Sequence, residues 1–388
     1  MTKRLFDDDA YRTTFSARVL ACEPQKKGYA IILDQTCFFP EEGGQTADKG
    51  VLRAGDQTIS VTDVQIDNDD VIRHMVKQPL EVGTKVEGEI QWDKRFSDMQ
   101  QHTGEHIVSG LIHAAFGYNN VGFHLSANEV TLDLDGMLTA EQIAEIERKA
   151  NEAVYHNLQV IAEYPDAETL AGMEYRSKIE LEGPVRIVTI PGVDRCACCA
   201  PHVGHTGEIG LIKIIHAAKY KSGVRLNMLC GARALADVQM KQDQIEAIGI
   251  ALSVKQHKTA AAVQKLQDDM AQMKLQLSAM GKQIAVSRAQ AIPEGTAHVC
   301  LFETELDKDV QRELVNQLTA RCTGFCGVFV GNDTAGYRYI IGAANGDARE
   351  CNQALKEQCE VRGGGSKDMV QGSVKGTERA IRALFAAL

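Results

Sequence analysis

Two pairs of potential metal ligands lie far apart in this chain. His102 and His106 are four residues apart, and so are Cys198 and His202. Two histidines at this spacing lie one turn apart on the same face of a helix, and a Cys-x-x-x-His pair can close around a tetrahedral ion. Imidazole together with thiolate is a typical zinc ligand set. A lone histidine pair is more often a half-buried helix face, but the second pair leads us to predict one Zn2+ held by all four residues.

The surrounding sequence predicts elements that can hold these ligands. Residues 107–116 are apolar at helical period and Gly117 follows them, so we expect the two histidines at the start of a core-packed helix. Residues 186–190 and 209–215 read as strands, which places the Cys-x-x-x-His pair in the loop between them. Loops at strand ends are where functional sites are commonly assembled.

Three motifs carry a resemblance to a known family. In chain order they are Phe39-Pro-Glu-Glu-Gly-Gly-Gln45 with Asp48, Gln-His-Thr-Gly-Glu-His at 101–106, and Cys198-x-x-x-His202 followed by Thr206-Gly-Glu-Ile-Gly210. This order resembles the zinc-dependent editing domain that alanyl-tRNA synthetases share with the freestanding AlaX-type alanyl-tRNA editing proteins. Residues 121–125 and 223–231 match as well, and the glycine-rich residues 362–372 resemble the C-terminal, DHH-associated-like domain of alanyl-tRNA synthetases. The resemblance thus covers nearly the whole chain.

The resemblance implies an activity and a partner. A complete synthetase would place an aminoacylation domain before this region, so the chain is similar to the long freestanding form, which acts in trans and needs no ATP. The implied enzyme is a zinc-dependent aminoacyl-tRNA deacylase that hydrolyses mischarged tRNA(Ala). Its implied substrate is chiefly Ser-tRNA(Ala), and the sequence leaves open whether Gly-tRNA(Ala) is also hydrolysed.

The resemblance also implies a substrate-binding set, Gly43, Gly44, Gln45 and His124. Two glycines remove side-chain bulk, and the Gln45 amide offers both a donor and an acceptor to the aminoacyl end. The alternative for the glycines is a plain turn, and the alternative for His124 is a structural histidine. Because a site built to bind a hydroxyl strongly rejects a ligand without one, we expect Gln45 first, and His124 second, to read the serine hydroxyl.

Glu105 is the candidate catalytic residue, either as a base or as a hydrogen-bond partner of a metal ligand. It lies three residues after His102 and so faces roughly the same side of the helix. The alternative is a solvated carboxylate at the start of the helix. Cys196 and Cys199 leave open which thiol binds the metal, although the register with His202 favours Cys198.

We predict an α+β protein of four parts. They are an N-terminal β-barrel (1–92), an α/β-sandwich zinc editing domain (93–234), a helical hairpin or coiled coil (235–290) and a small C-terminal α/β domain (291–388). The third part contains a heptad seam at Val263, Leu266, Met270, Met273, Leu277, Met280 and Ile284. Its partner is either the preceding helix, which carries Ile245, Ile248 and Leu252, or the same helix of a second subunit in a homodimer.

Composition limits the location of the protein and its partners. No apolar run reaches the length of a membrane span, the N-terminus is too acidic for a signal peptide, and eleven cysteines fit a reduced, cytoplasmic protein. The formal net charge of −10 disfavours RNA binding overall. Two basic clusters could nevertheless hold tRNA, although an ordinary solvated surface fits them equally well. They are Lys213, Lys219, Lys221, Arg225 and Arg233, and Arg362, Lys367, Lys375, Arg379 and Arg382.

Two other functions fit part of the pattern. His-x-x-Glu-His, formed by residues 102–106, also occurs in one clan of zinc peptidases, but a thiolate such as Cys198 is an unusual ligand there. A non-catalytic tRNA-binding module with a structural zinc is the third possibility, because closed sites with cysteine ligands favour that role.

Overall fold

A computed structural model describes residues 2–126, 129–177 and 184–388. The chain divides into two units, residues 1–244 and 245–388. The division into four parts stays a prediction. No helix in the described parts of the chain is both long and apolar enough to span a membrane.

The first unit begins with a closed six-stranded barrel, which confirms the predicted N-terminal barrel. Its strands alternate buried and exposed residues, as in β2, where Phe15, Ala17 and Val19 point into the core. The barrel order is β2-β3-β7-β6-β5-β8. The elements are β1 (Lys3–Arg4), α1 (Leu5–Asp8), β2 (Thr14–Gln25), β3 (Gly28–Leu33), β4 (Gln35–Thr36), β5 (Gly50–Ala54), β6 (Gln57–Ile66), β7 (Ile72–Val76) and β8 (Lys85–Ile90).

The long helix α2 (Trp92–Phe116) follows the barrel and carries both histidines. It ends at Gly117, as predicted, in the left-handed conformation that terminates helices. The expected start was wrong, because the helix begins ten residues before His102. Its first turns bury polar side chains such as Arg95 and Asp98, so the apolar period that reveals the second half is absent there. The two histidines therefore lie in the middle of a rigid, largely buried helix.

The described remainder of the first unit contains two small antiparallel sheets and the helices that pack with them. The sheets have the orders β14-β15-β10-β9 and β11-β12-β13. Helix α3 opens with a capping box of Thr139 and Gln142. The elements are β9 (Asn120–Leu125), β10 (Val130–Leu134), α3 (Ala140–Tyr155), β11 (Ile161–Glu163), α4 (Ala167–Ala171), β12 (Ile187–Ile190), β13 (Asp194–Ala197), a 3-10 turn (Thr206–Ile209), β14 (Ile212–Tyr220), β15 (Gly223–Cys230) and α5 (Gly231–Ala251), which crosses into the second unit.

The second unit contains a five-stranded sheet of order β16-β17-β18-β20-β19. Strands and helices alternate in this unit, as the prediction of a C-terminal α/β part implied. Its elements are α6 (Thr259–Gln290), β16 (Val299–Glu303), α7 (Lys308–Thr319), β17 (Phe325–Asn332), β18 (Gly336–Ala343), α8 (Ala348–Gln358), β19 (Glu360–Gly365), β20 (Met369–Lys375) and α9 (Glu378–Ala387).

The glycine-rich residues 362–372 form most of a β-hairpin made by β19 and β20. Gly363 and Gly372 are paired across β19 and β20. A Cβ atom on either residue would lie within 2.8 Å of the Tyr339 hydroxyl oxygen. The glycines therefore let the hairpin pass closely over a buried tyrosine.

The heptad seam lies on α6, as predicted, but the preceding helix does not cover it. All seven seam residues are at least 39% exposed, and Ile245 and Ile248 are exposed as well. The buried residues of α6 are Ala285 and Ala289, which join a core cluster with Leu314. The helical hairpin and the coiled coil therefore both stay predictions, with the seam residues exposed in the described chain.

Candidate metal centre

The four predicted ligands converge in the first unit. Their ligand atoms all lie within 4.8 Å of one another. Cys198 Sγ is 3.5 Å from His102 Nε2 and 3.4 Å from His202 Nε2. The His106 ring centroid is 4.7 Å from that of His202. Three imidazole nitrogens and one sulfur around a buried point form the donor set that suits zinc.

Each imidazole is held by an oxygen atom at Nδ1, which leaves Nε2 for the shared centre. The pairs are His102 with Gln45 Oε1 (2.9 Å), His106 with Asp194 Oδ2 (3.0 Å) and His202 with Thr103 Oγ1 (3.0 Å). Such partners fix the tautomer and the ring orientation of metal-ligating histidines. The surroundings therefore fit a metal site as well as the ligands do.

The electrostatics of the cluster favour the ligand forms of Cys198 and His202, whereas at His106 the hydrogen bond with Asp194 outweighs burial and holds the pKa well above its ordinary value. Burial alone raises the pKa of the Cys198 thiol, but the neighbouring His102 and His202 rings outweigh burial and hold that pKa well below its ordinary value. Burial lowers the pKa of His202 to about 3, so this imidazole is neutral near pH 7. A thiolate and a neutral imidazole are the forms that bind zinc.

The structure distinguishes the three neighbouring thiols. Cys196 lies on β13. It forms a group with His106 and Asp194 and does not belong to the group of four that contains Cys198. Cys199 points toward the barrel, where its Sγ would be 3.2 Å from a Cβ on Gly43. Only Cys198 joins the other three ligand residues in one group among the described residues.

The Gly43-Gly44 turn of the barrel lies directly beside the centre. Both glycines have positive φ values, +61° and +83°. A Cβ on Gly44 would lie 2.7 Å from the Phe123 ring, whose centroid is 4.7 Å from that of His102. Leu125 N–H also donates to Gly44 O at 3.0 Å. Glycine is therefore required for this turn to reach the metal ligands.

The segment after the glycines is bound to α2 by three side-chain contacts. Gln45 contacts His102, Thr46 donates to Asp98, and Asp48 accepts from Arg95. Positions 95, 98 and 102 share one helix face because they are spaced by three and four residues. The Asp48–Arg95 pair is fully buried, and Arg95 also donates to the backbone oxygens of Ala10 and Cys37. This set of contacts places the barrel motif against the four candidate ligands.

Glu105 and His124 lie in different surroundings. Glu105 is buried in the middle of α2 and accepts a 2.6 Å hydrogen bond from Asn120 Nδ2, so the alternative of a solvated carboxylate at the helix start is wrong. His124 is exposed and neighbours Phe123 on β9, where successive side chains point to opposite faces. The Phe123 ring packs on His102, so the structure does not bring His124 to the four ligand residues.

Sequence reasoning missed Asp194 and Thr103, which contact His106 and His202. Asp194 accepts from Arg176 Nε at 2.8 Å as well as contacting His106, and Arg176 also donates to Ser109 Oγ. Thr103 lies between the two ligand histidines in the motif and was the one detectable member. The others come from segments whose pairing only the fold reveals.

The first basic cluster is largely paired with carboxylates. Three of its five members make such pairs, Lys213 with Glu147, Arg225 with Asp133 and Arg233 with Asp98. In the second cluster Arg362 and Lys375 both contact Glu360, and Arg382 contacts Glu378. Side chains of the second cluster are more exposed, with Arg362 at 85%. The second cluster therefore offers more accessible positive charge.

Two family models match parts of this chain, and one of the matches contains part of the candidate site. Residues 13–94 match the family model "tRNA synthetases class II (A)", and residues 185–227 match "Threonyl and Alanyl tRNA synthetase second additional domain". The second match includes Asp194, Cys198 and His202. The alanyl-tRNA editing protein Aarsd1 of Mus musculus is 27% identical over 98% of this chain and 95% of its own length.

The chain is a homologue of alanyl-tRNA editing proteins and of alanine–tRNA ligases. The alanine–tRNA ligase of Pyrobaculum neutrophilum is 32% identical over 98% of this chain, and that of Halobacterium salinarum is 31% identical over all of it. The chain spans 44% of the length of each of these ligases.

Proposed function

We propose that this alanyl-tRNA editing homologue is a zinc-dependent deacylase that hydrolyses mischarged tRNA(Ala), chiefly Ser-tRNA(Ala). The convergence of His102, His106, Cys198 and His202 in one buried cluster carries the proposal. Zinc, when bound, supplies Lewis acidity beside the scissile ester. The protein's own residues hold the aminoacyl end, orient it and select it.

Gln45 is proposed to recognise the serine hydroxyl by a hydrogen bond. Its Oε1 accepts from His102, while its Nε2 is buried and has no hydrogen-bond partner among the described residues. A buried donor without a partner is costly, so it indicates a ligand that supplies the missing acceptor. A serine hydroxyl supplies that acceptor and an alanine methyl group does not. The adjacent Gly43 and Gly44 leave the backbone open for the approach of the aminoacyl end.

Glu105 is proposed as a base or as a positioning carboxylate of the same site. It precedes the ligand His106 on α2 and is buried beside it. Replacing Glu105 with Gln keeps its shape and its acceptor for Asn120 but removes the basic carboxylate. We expect kcat to fall while the zinc content stays the same. Unchanged kcat would remove the catalytic role.

One assay separates the proposed function from the two alternatives. The full chain with zinc is incubated with Ser-tRNA(Ala), with Ala-tRNA(Ala) and with an unstructured peptide. We expect release of serine, little release of alanine and an intact peptide. Peptide cleavage would indicate the peptidase, and binding of tRNA without release of either amino acid would indicate a non-catalytic module. Gly-tRNA(Ala) in a fourth reaction tests the second proposed substrate.

The second unit is proposed to bind tRNA and to form a homodimer, and the protein is proposed to be cytoplasmic. The exposed seam on α6 favours a second subunit, because seven apolar residues at heptad spacing lie uncovered in the single chain. Replacing Leu266 and Met273 with Asp should lower the solution mass from a dimer to a monomer. The matched control replaces Gln264 and Gln272, which lie outside the seam on the same helix, with Asp. An unchanged mass of the Leu266 and Met273 variant would refute the seam as the interface.

A further inference from the structure

Arg186 extends the strand pairing that leads into the Cys198–His202 loop. It immediately precedes β12, and Ile187 is paired with Ala197 of β13. One residue further, Cys198 N–H donates to Arg186 O at 3.0 Å. The backbone of a metal-ligand residue is therefore held as an additional rung of this ladder.

The Arg186 side chain then returns to the same loop. Its Nη1 donates to Cys198 O at 3.1 Å and to Ala200 O at 2.7 Å. The residue is only 7% exposed. A buried guanidinium is costly unless oxygen acceptors surround it, so its position is strongly determined by these carbonyls. Because one nitrogen, Nη1, donates to both carbonyls, it fixes the distance between them.

We propose that Arg186 is a positioning residue that sets the Cys198 and His202 half of the metal centre. A loop that carries two ligands must hold both at metal distance before the ion arrives, and Arg186 fastens the loop at both Cys198 and Ala200. The inference rests on the proposed metal site and is independent of the substrate. Residues that orient metal ligands from outside contribute about 10- to 100-fold to metal affinity.

The test is a cobalt titration of the metal-free full chain. Co2+ in place of zinc absorbs visible light, with bands that report tetrahedral geometry and a sulfur-to-cobalt transition that reports the Cys198 bond. Arg186→Met keeps most of the side-chain volume and removes the donors, while Arg186→Lys keeps the charge but replaces the planar donor set. The control is Arg195→Met, because Arg195 is exposed on the adjacent strand β13.

We expect the wild-type and control proteins to bind one Co2+ with the same spectrum. Arg186→Met should bind Co2+ about 10- to 100-fold more weakly, with a diminished sulfur-to-cobalt band, and Arg186→Lys should fall between. If Arg186→Met does not fold, as judged by circular dichroism, the Lys variant decides. Wild-type affinity and spectrum in both folded variants would overturn the role of Arg186. No Co2+ binding by the wild-type protein would overturn the metal site itself, and with it the proposed function.

Discussion

Replacing Gln45 tests whether this residue reads the serine hydroxyl. The residue has two separable contacts, Oε1 with His102 and an Nε2 that lacks a partner among the described residues. Gln45→Glu keeps an oxygen acceptor for the His102 Nδ1–H and removes the amide donor. Gln45→Leu removes both. Gln45→Glu should therefore retain zinc and lose selectivity, whereas Gln45→Leu should also weaken zinc binding.

The expected size of the effect on kcat/KM follows from the loss of one hydrogen bond to the serine hydroxyl in a buried site. Losing such a bond costs about 1 to 3 kcal/mol, which lowers kcat/KM for Ser-tRNA(Ala) by about 5- to 150-fold. The rate with Ala-tRNA(Ala) should change little, because alanine has no hydroxyl to bind. His124→Leu is the matched control, since His124 is exposed and lies away from the four ligand residues.

The assay measures release of radiolabelled serine and alanine from the two charged tRNAs, with the zinc content determined on the same preparations. Selectivity at the wild-type value in both Gln45→Glu and Gln45→Leu would show that the hydroxyl is read elsewhere. A loss of selectivity in His124→Leu equal to that in Gln45→Glu would also refute the assignment of Gln45.

Three further predictions concern the ligands and the barrel. Cys198→Ser should remove zinc, while Cys196→Ser and Cys199→Ser should keep one zinc per chain, as measured by elemental analysis. Loss of zinc from Cys199→Ser alone would show that Cys199, and not Cys198, supplies the thiolate ligand. Asp48→Ala should lower the free energy of unfolding in urea by about 3 to 5 kcal/mol, because it leaves Arg95 buried without its partner, and the exposed Asp56→Ala should not. Burial lowers the pKa of His74 to about 4 from an ordinary 6.5. As the pH falls, His74 therefore binds a proton in the unfolded chain before it does so in the folded chain. This difference should lower the free energy of unfolding by about 3 kcal/mol between about pH 6.5 and pH 4. His74→Gln should lose this part of the pH dependence, and an unchanged slope would contradict it.

The sequence identified the four candidate ligands because their spacing is a local property. His102 and His106 share a helix face whatever the rest of the fold does, and a Cys-x-x-x-His pair can close on one ion within a single loop. The barrel was visible for a similar reason, since alternation of apolar residues identifies strands. The start of α2 was not visible, because its buried polar residues are satisfied by partners distant in sequence, such as Asp48 for Arg95.

The features that the sequence did not reveal depend on contacts between segments that are distant in sequence. His124 and Phe123 are neighbours in sequence, and only the register of β9 against β10 decides which of them faces the core. The heptad seam predicted a helix correctly, but apolar period does not identify what covers it. The basic residues near 213–233 formed a cluster in sequence, and the fold neutralised most of them with carboxylates from α2, β10 and α3.

The segment that follows the barrel glycines contributes directly to the candidate metal centre. A metal site built on α2 and the Cys198 loop alone would lack the partner of His102 and the donor proposed to select the substrate, since Gln45 supplies both. The buried Asp48–Arg95 pair fixes that segment on the helix that carries two ligands. Because a displacement of about 1 Å can cost a site much of its activity, this attachment links the stability of the barrel to the proposed selectivity. Asp48→Ala should then lower selectivity for serine in whatever fraction of the protein stays folded, an outcome that a purely structural role for the ion pair does not produce.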